Sequence, residues 1–177
     1  MTHHSLICHP ATPAKAVRAV EFSISYLEQE KLLLRWRVQG AGALVVPGFG
    51  GHARADGLWQ TTCFEWFLMG EGPDYREFNF SPSQRWAAYR FADYRQGQAE
   101  APLAGEGPTG GPVITSAQGE EIFTLNVTLP WGLLYGAARG GVAAVIEEEG
   151  GIKSYWALAH PRPKPDFHDA AAFVQVV

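Results

Sequence analysis

The sequence predicts an all-β fold, a two-sheet antiparallel β-sandwich. Apolar and polar residues alternate with period two in run after run, and clusters rich in glycine, proline and serine separate those runs. No stretch sustains a 3.6-residue apolar period over the length of a helix. Many short strands with turn signals between them read as a single sandwich domain over residues 1–177, with jelly-roll-like crossing connections. Residues 1–16 read as a flexible N-terminal segment.

The elements follow in order. Residues 17–27 set Val20, Phe22, Ile24 and Tyr26 on one face. Residues 31–38 set Leu32, Leu34, Trp36 and Val38 on one face and Arg35 and Arg37 on the other. The segment from Gly40 to Gly57 reads as a mobile loop. Between 58 and 69, Leu58, Phe64, Trp66 and Leu68 share a face, opposite Trp59, Cys63, Glu65, Phe67 and Met69. In 75–81, Phe78 and Phe80 point to the core and Tyr75, Glu77, Asn79 and Ser81 point away. Residues 84–91 carry Trp86 and Arg90 on one side, Tyr89 and Phe91 on the other. A long Gly/Pro-rich loop runs from Gly97 to Pro112. Residues 122–129 alternate again, and Pro130 to Leu134 forms one short helical turn. Gly150-Gly151 joins two further strands in a hairpin, because two glycines supply the positive φ of a tight turn. A last strand lies near Ala171–Val176.

Composition excludes several classes of function. Apolar residues make up 46% and aromatics 12%, which argues against disorder. The formal net charge is −4 with no basic block, so no nucleic-acid partner is expected. No apolar run approaches membrane-helix length, and the N-terminus lacks the pattern of a signal peptide. A cytoplasmic protein without membrane contact is the expectation, with its oligomeric state open. Cys8 and Cys63 form no disulfide framework. Asn126-Val127-Thr128 matches a glycosylation sequon, read as chance without secretion.

The residues from Leu58 to Arg95 carry the candidate chemistry. Glu65 lies between Cys63 and Phe67 on its face and needs a partner when buried. Arg35, Arg37 and Arg90 are available for an ion pair, and a ligand grip is the alternative. Glu77 and Asn79 project in parallel beside Tyr75. Carboxylate and amide groups beside aromatic faces suit sugar hydroxyls, which both donate and accept. Trp59 and Trp86 are the candidate exposed platforms, while Trp36, Trp66 and Trp156 belong to apolar rows. In the C-terminal segment, His160, Asp166 and His168 either hold the loop, touch a ligand from the rim or gather a metal. His52 and Arg54 sit on a glycine-rich loop that lacks the ending of a phosphate loop. There is no nucleophile-elbow motif, and Glu65 with Glu77 is the one candidate glycosidase pair.

These residues resemble the DOMON superfamily, in the branch similar to family 9 carbohydrate-binding modules. The resemblance rests on Leu58-Trp59, then Thr62 to Leu68, then Tyr75-x-Glu77-Phe78-Asn79-Phe80-Ser81-Pro82. It continues in Trp86 to Phe91, Ser154 to Leu158 and Pro165-Asp166-Phe167-His168. It implies a two-sheet sandwich that binds a small ligand, a sugar or haem, at one sheet or its rim. For haem, Met69 would be a ligand, with His52, His160 or His168 opposite. The expectation is thus a non-catalytic domain that binds a saccharide or small polar sugar derivative. Its ligand-binding residues would be Trp59, Glu65, Glu77, Asn79, Trp86, Arg90, His160 and His168. No cofactor is expected. Haem or a divalent metal, or a protein partner on the exposed sheet, is the alternative.

Overall fold

A computed structural model of the chain describes residues 2–175. Its twelve strands run in chain order. They are β1 (Thr2–Cys8), β2 (Ala19–Leu27), β3 (Lys31–Gln39), β4 (Cys63–Met69), β5 (Tyr75–Phe80) and β6 (Trp86–Phe91). β7 (Ala99–Glu100), β8 (Val113–Gln118), β9 (Ile122–Pro130), β10 (Arg139–Glu148), β11 (Ile152–Ala157) and β12 (Val174–Gln175) follow. One antiparallel sheet links them in the order β7-β6-β5-β4-β10-β11-β1-β2-β3-β9-β8, with β12 on β10. The sheet doubles over at β1. Thr2 to Leu6 pair with β2, while Ile7 and Cys8 pair with β11. One layer is therefore β2-β3-β9-β8 and the other is β6-β5-β4-β10-β11.

The main core lies between these layers and follows the alternation of the sequence. Val20, Phe22, Leu32, Leu34, Trp36, Val38, Phe123, Leu125 and Val127 meet Phe64, Trp66, Phe78, Phe80, Ala144 and Ile146. Trp36 sits at the centre, its ring centroid 4.9 Å from Phe22 and 5.6 Å from Phe64. The turn after Pro130 is a single 3-10 turn, Trp131–Leu134, as the proline predicts. The β10–β11 hairpin turns at Gly150 and Gly151, both at positive φ.

Four elements differ from the sequence reading. The N-terminal segment is a strand, held on one edge by β2 and on the other by β11. Alternation in Thr2–Cys8 is masked because a histidine stands on each face: His3 is exposed, while His4 shares the inward row with Leu6, the one buried residue of the strand. The carboxylate of Glu148, 1% exposed, accepts from the backbone N–H groups of Lys15, Ala16 and Val17 at 2.8, 2.6 and 3.2 Å. That interaction fixes the rest of the segment. β8 escapes the pattern because only Ile114 in it is buried. The Gly97–Pro112 loop contains the short strand β7, and the Gly40–Gly57 segment contains a 3-10 turn, Ala41–Ala43, and a bridge from Leu44 to Glu148. β12 occupies Val174–Gln175, and Val176 of the expected last strand lies outside the described residues. Among the described residues, no helix is long and apolar enough to cross a membrane.

Candidate functional site

The outer face of the second layer is not a solvated surface. Phe67, Met69, Tyr75, Ala87, Tyr89, Phe91, Ala143 and Ala157 form a second apolar cluster there with Phe173. The C-terminal segment crosses this face and covers it with Phe167, His168 and Phe173. Gly141 on β10 makes room, because a Cβ there would lie 2.5 Å from the Phe173 ring. Where the cover stops, a cleft of about 390 Å³ remains. Its floor is Glu65, Glu77, Tyr89, Phe91, Val145 and Tyr155. Trp59, Arg95, Gln98, Pro165, Phe167 and His168 form the walls.

Two carboxyl groups lie on that floor. In the β4–β5 ladder Glu65 faces Asn79 and Phe67 faces Glu77, so the two glutamates are diagonal neighbours on one face. Glu65 is 4% exposed and Glu77 6%. The Asn79 amide donates to Glu77 Oε1 at 2.7 Å. Burial, opposed by that amide, raises the Glu77 carboxyl. Burial first, and then the Glu77 charge, hold the Glu65 carboxyl well above the usual carboxylate range. Among the described residues no side chain or backbone group donates to Glu65. Its carboxyl opens only into the cleft.

His168 stands over Glu77. Its Nε2 is 3.7 Å from Glu77 Oε2, and its Nδ1 is 2.8 Å from the Tyr75 hydroxyl. The backbone N–H of Arg95 donates to the same hydroxyl at 3.1 Å. With Tyr75 accepting there and donating its own proton to Nδ1, the assigned tautomer carries the ring proton on Nε2, toward Glu77. Burial and the charge of Arg95 lower His168 to about 4. The His168–Glu77 contact is therefore between a neutral imidazole and a carboxyl, not an ion pair, at neutral pH.

The rim is built by turns. Arg95 has a φ of 53° in the hairpin turn Asp93–Gln96, a conformation that favours glycine or asparagine. An arginine there is held by its side chain: Nη2 donates to Asp166 Oδ1 at 2.8 Å. Asp166 also accepts from the Tyr94 hydroxyl and from the backbone N–H of His168 at 3.1 Å. Those bonds and the Arg95 charge hold its carboxyl below its usual value against burial. The Tyr89 hydroxyl donates to Asp56, which Arg54 pairs at 2.9 Å. Trp59, 54% exposed, projects from the single 3-10 turn Leu58–Gln60.

Trp59, Glu65, Glu77 and His168, among the residues singled out from the sequence, share this cleft, and Asn79 buttresses Glu77 beneath it. Trp86, Arg90 and His160 do not join them. Trp86 lies on the inward row of β6 opposite Phe80 and packs against the main core, with Gly111 of the long loop against its indole. It is no exposed platform. Arg90 shares that row and stands opposite Arg76 at the sandwich end. His160 is at the end of β1, its Nε2 2.7 Å from the Ile7 carbonyl and its ring 4.7 Å from that of His9. The ion pair expected for Glu65 is not formed. Arg35 donates to Asn126, Arg37 to Glu21, and Arg90 is on the other face. Among the described residues no three His, Cys, Asp or Glu side chains gather as a metal site. Met69 Sδ lies 3.3 Å from Arg139 Nη2. His52 packs on Phe49, and Arg54 pairs with Asp56 and Glu100, outside the cleft.

Sequence reasoning missed Arg95, Tyr155 and Phe167. Tyr155 could have been found by parity, since it flanks the inward Trp156. Phe167 stands in the Pro165–His168 motif without being singled out, and nothing local marks Arg95; they reach the cleft through a proline-rich crossing and a turn.

No protein-family model matches the chain, and no curated protein does. Among solved structures, the fold is similar to that of a proposed carbohydrate-binding protein from Bacteroides uniformis. The TM-score is 0.66 at 18% identity, over 97% of this chain and 84% of the other. At that identity the likeness shows a shared fold.

Proposed function

We propose that this protein binds a saccharide or small polar sugar derivative in the cleft and performs no chemistry on it. The observation that carries the reading is Glu65: a nearly buried carboxyl with no protein donor, open only to the cleft. Its oxygens reach no partner but what enters the cleft, so a bound donor supplies the hydrogen bond the fold does not. Trp59 and Tyr155 supply ring faces for the apolar side of a pyranose. Glu77 and Arg95 supply further polar contacts, fixed in advance by Asn79 and Asp166 respectively. The fold shared with the Bacteroides uniformis protein supports the reading.

Calorimetry with common mono- and disaccharides, backed by a glycan array, tests it. Micromolar-to-millimolar binding is expected. Trp59→Ala should weaken it about tenfold, on the order of 1.4 kcal/mol, and Trp86→Ala should weaken it less in a protein that remains folded. Heat-free titrations and a blank array would end the saccharide reading.

Glycoside hydrolysis is a second reading that the diagonal pair Glu65 and Glu77 on one face favours, since glycosidases act with two carboxyl groups flanking the bond. Turnover of aryl glycosides, lost in Glu65→Gln, would replace the binding reading with it.

A further inference from the structure

We infer that the ligand of this cleft carries a protonated amine that seats between Glu65 and Glu77; the inference rests on the saccharide reading and narrows it to amino sugars. The charges on the cleft wall lead there. Glu65 has no donor. Glu77 has one amide donor, and its other oxygen faces His168 at 3.7 Å, too far for a hydrogen bond. The one arginine on the wall, Arg95, is engaged by Asp166 at 2.8 Å. Two buried carboxyl groups thus face open space, and Arg95 reaches them only through space, its hydrogen bond being given to Asp166.

A sugar hydroxyl gives one hydrogen to one oxygen and leaves the charge uncompensated. An ammonium brings three donors and a positive charge to the same place. The surrounding residues suit it as well, because the aromatic side chains of Trp59, Tyr155 and Phe167 line the cleft and a ring face attracts a cation electrostatically. Without ligand, a proton retained on Glu65 offsets the repulsion from Glu77. When the ammonium enters, that proton leaves Glu65 for water and ammonium N–H bonds to the carboxylate take its place. The charged and titratable groups around Glu65 are Glu77, Arg95, His168, Tyr89, Tyr155 and Cys63. His168 is neutral and Arg95 charged throughout the neutral range, so the exchanged proton comes from the glutamate pair.

The test is calorimetry at pH 6.5 with glucose, glucosamine and N-acetylglucosamine, and with the corresponding galactose set, in two buffers of different ionisation enthalpy. The free amine should bind at least about tenfold tighter than both neutral partners. The heat should change between buffers in the sense of proton release. Glu65→Gln, checked for folding by circular dichroism, should erase the preference and the release together. Neutral sugars binding as well as the amine would overturn the inference and leave the saccharide reading standing. Binding by none of the six would overturn both.

Discussion

At the scale of single residues, the outer face holds two titrating groups with opposite effects on stability. Glu65 is raised in the fold, so its contribution is fully present below its unfolded value of about 4.3 and is lost as pH rises through the folded value. Glu65→Gln removes that loss. The variant should be the more stable protein at pH 7, by about 1 kcal/mol or more, with the gap closing toward pH 4. Urea midpoints across that range measure it. His168 behaves the other way. Its folded value of about 4 lies below the ordinary 6.5, so the unfolded chain takes up a proton that the fold refuses. Stability should fall as pH drops through that window, by roughly 3 kcal/mol in full. His168→Gln should show a correspondingly flatter acid limb in the same titration. Parity in the sequence placed Glu65, Glu77 and Asn79 on one row. It could not say that the row is roofed, since the roof comes from residues about ninety positions later.

At the scale of elements, one strand explains the main misreading. β6 puts Trp86 and Arg90 on one row and Tyr89 and Phe91 on the other. Both rows are apolar enough to be core, because this sheet is covered on both faces. The alternation that normally separates inside from outside loses its meaning there. Pairing with β5 decides the matter: Trp86 is opposite Phe80, so it faces inward. The C-terminal crossing is the element that covers the other row, and it depends on a close approach at Gly141. Gly141→Ala would press a methyl group against the Phe173 ring, where the Cβ is 2.5 Å away. It should cost about 1–3 kcal/mol. The cost should shrink in a Phe173→Ala background, a coupling that a double-mutant cycle by thermal unfolding would reveal.

At the scale of the whole molecule, the fold depends on the N-terminal strand more than its sequence suggests. β1 is the place where the sheet doubles over, and removing it would free the edges of β2 and β11. Glu148 fastens the segment that follows by accepting three backbone N–H groups. Glu148→Ala leaves those donors without their acceptor, the Val17 N–H among them in a buried place. It should cost at least about 3 kcal/mol, since hydrogen bonds to a charged group are among the stronger ones. Tryptophan fluorescence and far-ultraviolet circular dichroism should follow one coincident urea transition in the parent protein. In the variant the midpoint should drop, and saccharide binding should weaken less than stability, because Glu148 lies outside the cleft.

Most strands and the inward rows of β2, β3, β4, β5 and β9 were legible from the sequence alone, because period-two alternation is a local property and one buried layer enforces it. The hairpin at Gly150-Gly151 and the break after Pro130 were legible for the same local reason: each depends on the φ of one or two residues. Tertiary structure decided the rest. It chose which polar residues meet, bringing His168, Arg95 and Phe167 to Glu65 and Glu77 across long stretches of chain. It turned Trp86 inward and left Trp59 at the rim. It made β1 a strand through pairing on both edges and through Glu148, neither of which is written in the residues of β1. Those outcomes depend on which strands lie side by side, and sheet order is a property of the folded chain rather than of any segment of it.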